Sequence, residues 1–201
     1  MKHSCLRTLL VLLCLALLGC SQPEIKEVTS DSTVVAFGDS LTSGYGVSDE
    51  ESYPSILADL LGCDVVNSGV SGEDTTAGLR RLPETLEAYQ PELVVLCFGG
   101  NDMLRKHPEA RTIANLKAMI ELIHASGADI VMIGVPRPGL LLAVPGFYET
   151  LADEYALPFD DSLLKHILSK NALKSDHIHP NEAGYQLMAE RIHALIKKSE
   201  R

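Results

Sequence analysis

A serine stands at the end of the first apolar run of the chain body, in Phe37-Gly38-Asp39-Ser40-Leu41. A turn at such a place can aim a hydroxyl into a cleft while the next backbone N–H groups face developing negative charge, which is the chemistry of a nucleophile. Gly, Asp and Ser together also make ordinary turns and helix caps. Near the other end, Asp176-His177-Ile178-His179-Pro180 precedes a helical pattern that Asn181 is suited to cap. Three positions separate Asp176 from His179, so one loop can let the carboxylate orient the imidazole while the free ring nitrogen reaches outward. A neutral imidazole so held can take a hydroxyl proton and return it to a leaving group. Surface histidines ahead of a capped helix, or metal ligands, are the competing readings of this cluster, although no second ligand cluster accompanies it.

Two further polar islands are candidates for binding an oxyanion. The Asn101 amide in Gly99-Gly100-Asn101-Asp102 and the Gly72 N–H in Ser68-Gly69-Val70-Ser71-Gly72-Glu73 could each donate to it. Loss of one such donor costs roughly 3 kcal/mol in a reaction barrier. Tight turns and a helix cap would explain the same residues. Asp39 and Asp102 are expected to hold turns or hydrogen bonds, because Asp176 already has the place beside His179.

These residues need a scaffold that gathers distant loops. Apolar, valine-rich runs at Thr33 to Phe37, Cys63 to Asn67, Leu93 to Phe98 and Asp129 to Gly134, with a weaker one at Ala156 to Phe159, read as strands covered on both faces. Helical patterns at Tyr53 to Leu61, Thr75 to Tyr89, Ala110 to Ser126 and Phe147 to Tyr155 alternate with them, and Ser162 to Leu168 and Asn181 to Lys197 follow. In the third helix Ile113, Leu116, Ile120 and Ile123 make one buried stripe. The alternation predicts a three-layer α/β/α sandwich with a five-stranded, mostly parallel sheet in the order 2-1-3-4-5. Sites in such sheets lie beyond the carboxyl ends of the strands, where the segments Gly38 to Gly46, Ser68 to Asp74 and Gly99 to Asp102 fall.

The amino-terminal segment reads differently. Lys2, His3 and Arg7 precede small and apolar residues from Thr8 to Leu18, the layout of a signal peptide spanning residues 1–19, too short to cross a bilayer as a helix. It closes on Leu17-Leu18-Gly19-Cys20, which resembles a bacterial lipobox and makes Cys20 a candidate for lipidation and membrane anchoring. The lipoprotein resemblance implies, with Ser21 rather than an aspartate after the cysteine, the outer membrane of a Gram-negative cell, facing the periplasm; a soluble periplasmic form is the alternative. Residues 20–32 are expected as a polar tether and residues 33–201 as one domain. Removing residues 1–19 takes the basic count from 17 to 15 against 27 acidic residues, a formal charge of −12 that disfavours nucleic acid as a partner. Cys63 and Cys97 would lie apart in the 2-1-3-4-5 order, so two free, buried thiols are expected.

Taken together, Gly38-Asp39-Ser40-Leu41-Thr42-Ser43-Gly44-Tyr45-Gly46, Asn67-Ser68-Gly69-Val70-Ser71-Gly72, Gly99-Gly100-Asn101-Asp102 and Asp176-His177-Ile178-His179-Pro180 resemble the four blocks of the GDSL, or SGNH, hydrolase family. They stand in family order across Thr33 to Lys197. Within the family the chain is similar to the bacterial periplasmic thioesterase I, lysophospholipase and arylesterase group. The resemblance implies a flavodoxin-like fold and a Ser40, His179, Asp176 triad. Its oxyanion hole would comprise Ser40, Gly72 and Asn101. His177 has no catalytic counterpart in it and is expected as a loop or surface residue. It further implies no metal and no organic cofactor, and small acyl ester, thioester or lysophospholipid substrates cleaved by a monomer. No Gly-x-Ser-x-Gly surrounds Ser40, which counts against the larger α/β-hydrolase class.

The loop from Val135 to Gly146 is rich in proline and glycine yet apolar from Leu140 to Val144. It is expected either to wall an acyl pocket or to close the core as a buried helical turn. A carbohydrate acetylesterase, an acyltransferase and a noncatalytic glycan- or lipid-binding lipoprotein are the competing functions.

Overall fold

The computed structural model describes residues 23–139 and 141–201. The expected signal segment, Cys20 and Leu140 therefore lie outside the described residues. Strands β1 (Thr33–Gly38), β2 (Asp64–Gly69), β3 (Leu93–Cys97), β4 (Asp129–Ile133) and β5 (Phe159–Asp160) form one sheet. Its order is β2-β1-β3-β4-β5 and every pairing is parallel. The helices are α1 (Ser40–Ser43), α2 (Tyr53–Leu61), α3 (Thr75–Tyr89), α4 (Gly100–Leu104), α5 (Glu109–Ala125), α6 (Phe147–Tyr155), α7 (Leu163–Ser169) and α8 (Glu182–Ser199). Helix α2 packs on α8 and α3 on α5, so helices flank the sheet in an α/β sandwich.

The central strands carry the core. Val34 to Phe37 of β1 and Leu93 to Cys97 of β3 are almost wholly inaccessible, as continuous apolar runs demand when helices cover both faces. Gly38 pairs with Gly69 on one side and with Cys97 on the other. The carboxyl ends of β1, β2 and β3 are therefore level, and the segments that follow them leave the sheet side by side. Close packing keeps them there: a Cβ on Gly69 would lie 2.1 Å from the Ser43 backbone nitrogen.

Several expectations need correction. Strand β2 is valine-rich but stands at the sheet edge, so its residues are half-buried or exposed. Cys63, just ahead of it, is accordingly half-buried, whereas Cys97 is fully buried; both thiols are free. In α5 the inward positions include Thr112, Leu116, Met119, Ile120 and Ile123, with Ile113 only half-buried. Thr112 faces inward because its hydroxyl donates to the buried Asp102 carboxylate at 3.3 Å. The fifth strand begins at Phe159, since Ala156 takes a left-handed φ of +50° to close α6.

The stretch expected as a tether is docked from Ile25 onward. Ile25 is buried and forms a parallel bridge with Glu200. Its N–H donates to the Ser199 carbonyl at 2.9 Å, and the Lys26 N–H donates to Asp129 Oδ2 at 2.7 Å. Asp129 opens β4, so the chain enters at the amino edge of the sheet, opposite Ser40. Two apolar residues, Ile25 and Val28, override the polar composition around them by burial. Ile25→Ala should lower the unfolding free energy by about 2 to 5 kcal/mol, through lost burial and the cavity left behind. Urea denaturation measures it, and a free tether would show no change.

Candidate active site

Ser40 is the first residue of α1, immediately beyond β1, and Asp39 is its cap. The Asp39 carboxylate accepts the Leu41 N–H at 3.1 Å, an ordinary capping bond that fixes where the serine leaves the strand. Gly44 closes this single turn in the left-handed region at φ +78°. The turn is braced from beneath: the buried Thr42 hydroxyl lies 3.1 Å from the Tyr53 hydroxyl of α2.

The loop after α7 brings the histidine. Asp176 Oδ1 accepts the N–H groups of Ile178 at 2.7 Å and His179 at 2.8 Å, while its Oδ2 lies 2.8 Å from His179 Nδ1. His179 Nε2 lies 3.0 Å from Ser40 Oγ. With the Nδ1 proton given to the carboxylate, Nε2 accepts the serine hydroxyl proton, the tautomer this network requires. An antiparallel bridge between Lys174 and Pro180 pins the loop, and Asn181 caps α8 by accepting the Gly184 N–H at 3.0 Å. Both ring nitrogens of His179 are thus occupied. Among the described residues no group of three or more His, Cys, Asp or Glu is placed to hold a metal ion.

Asn101 enters from α4, beyond β3, and its Nδ2 donates to Asp39 Oδ2 at 3.1 Å. One amide hydrogen is therefore committed to a carboxylate, leaving the second for the cleft that Asn101 lines. Gly99, at φ +114°, makes the entry to α4 possible: a Cβ there would lie 2.3 Å from the Tyr148 hydroxyl, which donates to the Phe98 carbonyl at 2.7 Å. Gly72 lies in the turn after β2 at φ +81°, and its carbonyl accepts from Arg105 Nη2 at 2.7 Å. It does not line the cleft that holds Ser40, Asn101 and His179.

Asp102 stands apart from the histidine. Its buried carboxylate accepts the Thr75 N–H at 2.8 Å and the Thr75 hydroxyl at 2.7 Å, tying α4 to the start of α3. Asp39 and Asp102 thus both serve as hydrogen-bonding anchors.

Of the further contributors, Arg81 carried no recognisable sequence signal, whereas Tyr45 and His177 stand in the four sequence blocks without a cleft role assigned to them. Arg81 of α3 donates to the Gly38 and Ser68 carbonyls at 3.1 and 2.9 Å, to Ser68 Oγ at 2.8 Å and to Glu73 at 2.6 Å, lying over the Phe37 ring. Tyr45 stacks on the His179 ring with centroids 4.4 Å apart. His177 lines the cleft, as do Leu104 and Leu168. Of the proline-rich loop, Val135, Pro136, Pro138 and Leu142 form the facing wall, whereas Leu141 projects into solvent, 83% exposed. Among its described residues that loop is a cleft wall with no helix assigned, and Val144 packs toward the core.

The two carboxylates beside the serine and the histidine are shifted in opposite directions. Burial pushes Asp39 up to about 6, because the Leu41 N–H and the Asn101 amide only partly offset its loss of water. Asp176 keeps part of its surface; its partial burial also acts upward, but the His179 ring and two backbone N–H groups outweigh this and hold it below the usual carboxylate range. Asp39 binds a proton more readily folded than unfolded, so its contribution to stability is fully present below about pH 4 and is lost as pH rises through about 6. The difference is on the order of 3 kcal/mol. Asp39→Asn should flatten the fall in urea midpoint between those limits. An unchanged profile would show that Asp39 is ionised throughout.

A family model described as GDSL-like lipase/acylhydrolase matches residues 36–187. An arylesterase of Vibrio mimicus is 35% identical over 168 residues, covering 78% of this chain and 84% of its own. Thioesterase 1/protease 1/lysophospholipase L1 of Escherichia coli K12 is 30% identical over 166 residues, covering 79% and 80%. The crystal structure of psychrotrophic esterase EstA from Pseudoalteromonas sp., inhibited by monoethylphosphonate, superposes with a TM-score of 0.75 at 27% identity, covering 84% of this chain and 98% of that one. With the 2-1-3-4-5 parallel sheet and the four sequence blocks converging on one edge, these matches establish that the chain is a hydrolase of the GDSL-like lipase/acylhydrolase family.

Proposed function

We propose that the protein hydrolyses carboxylic acyl esters or thioesters through an acyl-enzyme on Ser40. The observation that carries this reading is the hydrogen-bonded line from Asp176 through His179 to Ser40 Oγ, with steps of 2.8 and 3.0 Å. Ser40 Oγ attacks the acyl carbonyl as His179 Nε2 takes its proton, and Asp176 stabilises the imidazolium. The oxyanion is held by the second amide hydrogen of Asn101 and by the Ser40 and Gly72 N–H groups, these two assigned from the family pattern. His179 then protonates the departing alcohol or thiol, and water repeats the sequence on the acyl-enzyme. The arylesterase and thioesterase names of the two relatives support the ester and thioester classes. Anchoring through a lipidated Cys20 in a Gram-negative envelope belongs to the same proposal, on the strength of the leader pattern.

The cleft wall favours an acyl chain over a bare acetyl group. Leu41, Leu104, Val135, Leu142 and Leu168 line it, and each buried methylene contributes about 0.8 kcal/mol. Across p-nitrophenyl esters of roughly two to twelve carbons, kcat/KM should rise with length before levelling. A flat or acetyl-preferring profile would sink the acyl pocket and favour a carbohydrate acetylesterase.

Ser40→Ala should lower kcat by about five to six orders of magnitude and abolish both the acyl-enzyme burst and labelling by an organophosphonate. Retained turnover would remove Ser40 from the nucleophile's role. Circular dichroism should be unchanged, because a small residue replaces a small one in the first turn of α1.

A further inference from the structure

A second hollow adjoins the Ser40 cleft. Pro138, Leu142, Leu168, His177 and Ile178 line both spaces, and Lys174 lines the hollow alone. Counted to its open mouth it measures about 930 Å³, room for more than a methylene chain. Its apolar wall continues that of the cleft, but its charge does not match the rest of the molecule. Lys174 is among its described lining residues and no acid is, in a chain whose formal charge is −10. Lys174 is half-buried, and its Nζ donates to the Leu168 carbonyl at 2.9 Å, which uses one of its three donors. The neighbouring acid, Asp176, has its carboxylate engaged by three N–H donors.

We propose that this hollow is a subsite for an anionic group carried by the substrate, held by Lys174 with His177 beside it. The proposal rests on the hydrolase reading above and adds to it a charge preference set by residues outside the reacting cluster. A carboxylate or phosphate ester on an acyl donor would leave the cleft past Leu142 and Leu168 and meet the ammonium, while its apolar portion stays against the shared wall. Two sources fit: an anion at the far end of the acyl chain, or one on the departing alcohol or thiol.

Three matched esters separate them: one neutral throughout, one with a carboxylate at the end of the acyl chain, and one with a phosphate on the leaving group. One charged ester should exceed the neutral one in kcat/KM by about five- to tenfold at low salt, and the arm that does so identifies the source. The ratio should shrink towards one at about 0.5 M salt, where exposed charges are screened. Lys174→Gln should abolish it and Lys174→Arg preserve it. A wild-type ratio near one for both charged esters, or a ratio that Lys174→Gln leaves intact, overturns the subsite. Failure to cleave even the neutral ester overturns the hydrolase reading instead.

Discussion

Parallel strands that stop level with one another leave their last backbone groups without ladder partners, and buried groups of that kind must be satisfied elsewhere. The carboxyl edge of this sheet is organised around that requirement. The Gly38 carbonyl accepts both the Val70 N–H and Arg81 Nη2, each at 3.1 Å. Arg81 also takes the Ser68 carbonyl, and the Tyr148 hydroxyl takes that of Phe98. Asp39 takes the Leu41 N–H. Each solution turns the chain in a set direction beyond its strand. The serine turn, the Gly72 turn and the Asn101 helix consequently stand beside one another. A guanidinium suits the central place because Nη2 reaches both carbonyls while Nη1 and Nε reach Ser68 Oγ and Glu73 and its face lies on Phe37.

Electrostatics then divides the edge into two regions. Asp39 is sealed under the serine turn, where loss of water drives it towards the neutral form and the Asn101 amide is its side-chain partner. Asp176 sits at the accessible side, 45% exposed at its side chain, where N–H donors keep it ionised. In the proposed triad the second environment supplies the ionised carboxylate that would face an imidazolium. The first suits an anchor that ties the amide to the serine turn.

The walls of the cleft follow a different logic from its floor. The floor is built on buried strands and packed glycines that admit little adjustment. Its facing wall comes from a proline-rich loop, and the segment after α7 brings Lys174 to the adjoining hollow of a predominantly acidic molecule. Of the proposed triad, Ser40 stands on this rigid floor, whereas Asp176 and His179 come from the loop after α7.

What the sequence determined by itself follows from local rules. Continuous valine-rich runs alternating with 3.6-periodic helices specify a parallel sheet between helical layers, and the four blocks name Ser40, Gly72, Asn101, Asp176 and His179 as candidates. Even the three-residue spacing from Asp176 to His179 is local, so their contact within one loop was legible. Tertiary structure alone decided the rest, because the deciding contacts join residues far apart in the chain. Arg81 meets Gly38 across 43 positions, and Asn101 meets Asp39 across 62. Burial also reversed local readings: polar composition around Ile25 suggested a free segment, and valine content in β2 suggested a covered strand. Desolvation depends on what packs against a group, and no window of sequence contains that neighbour.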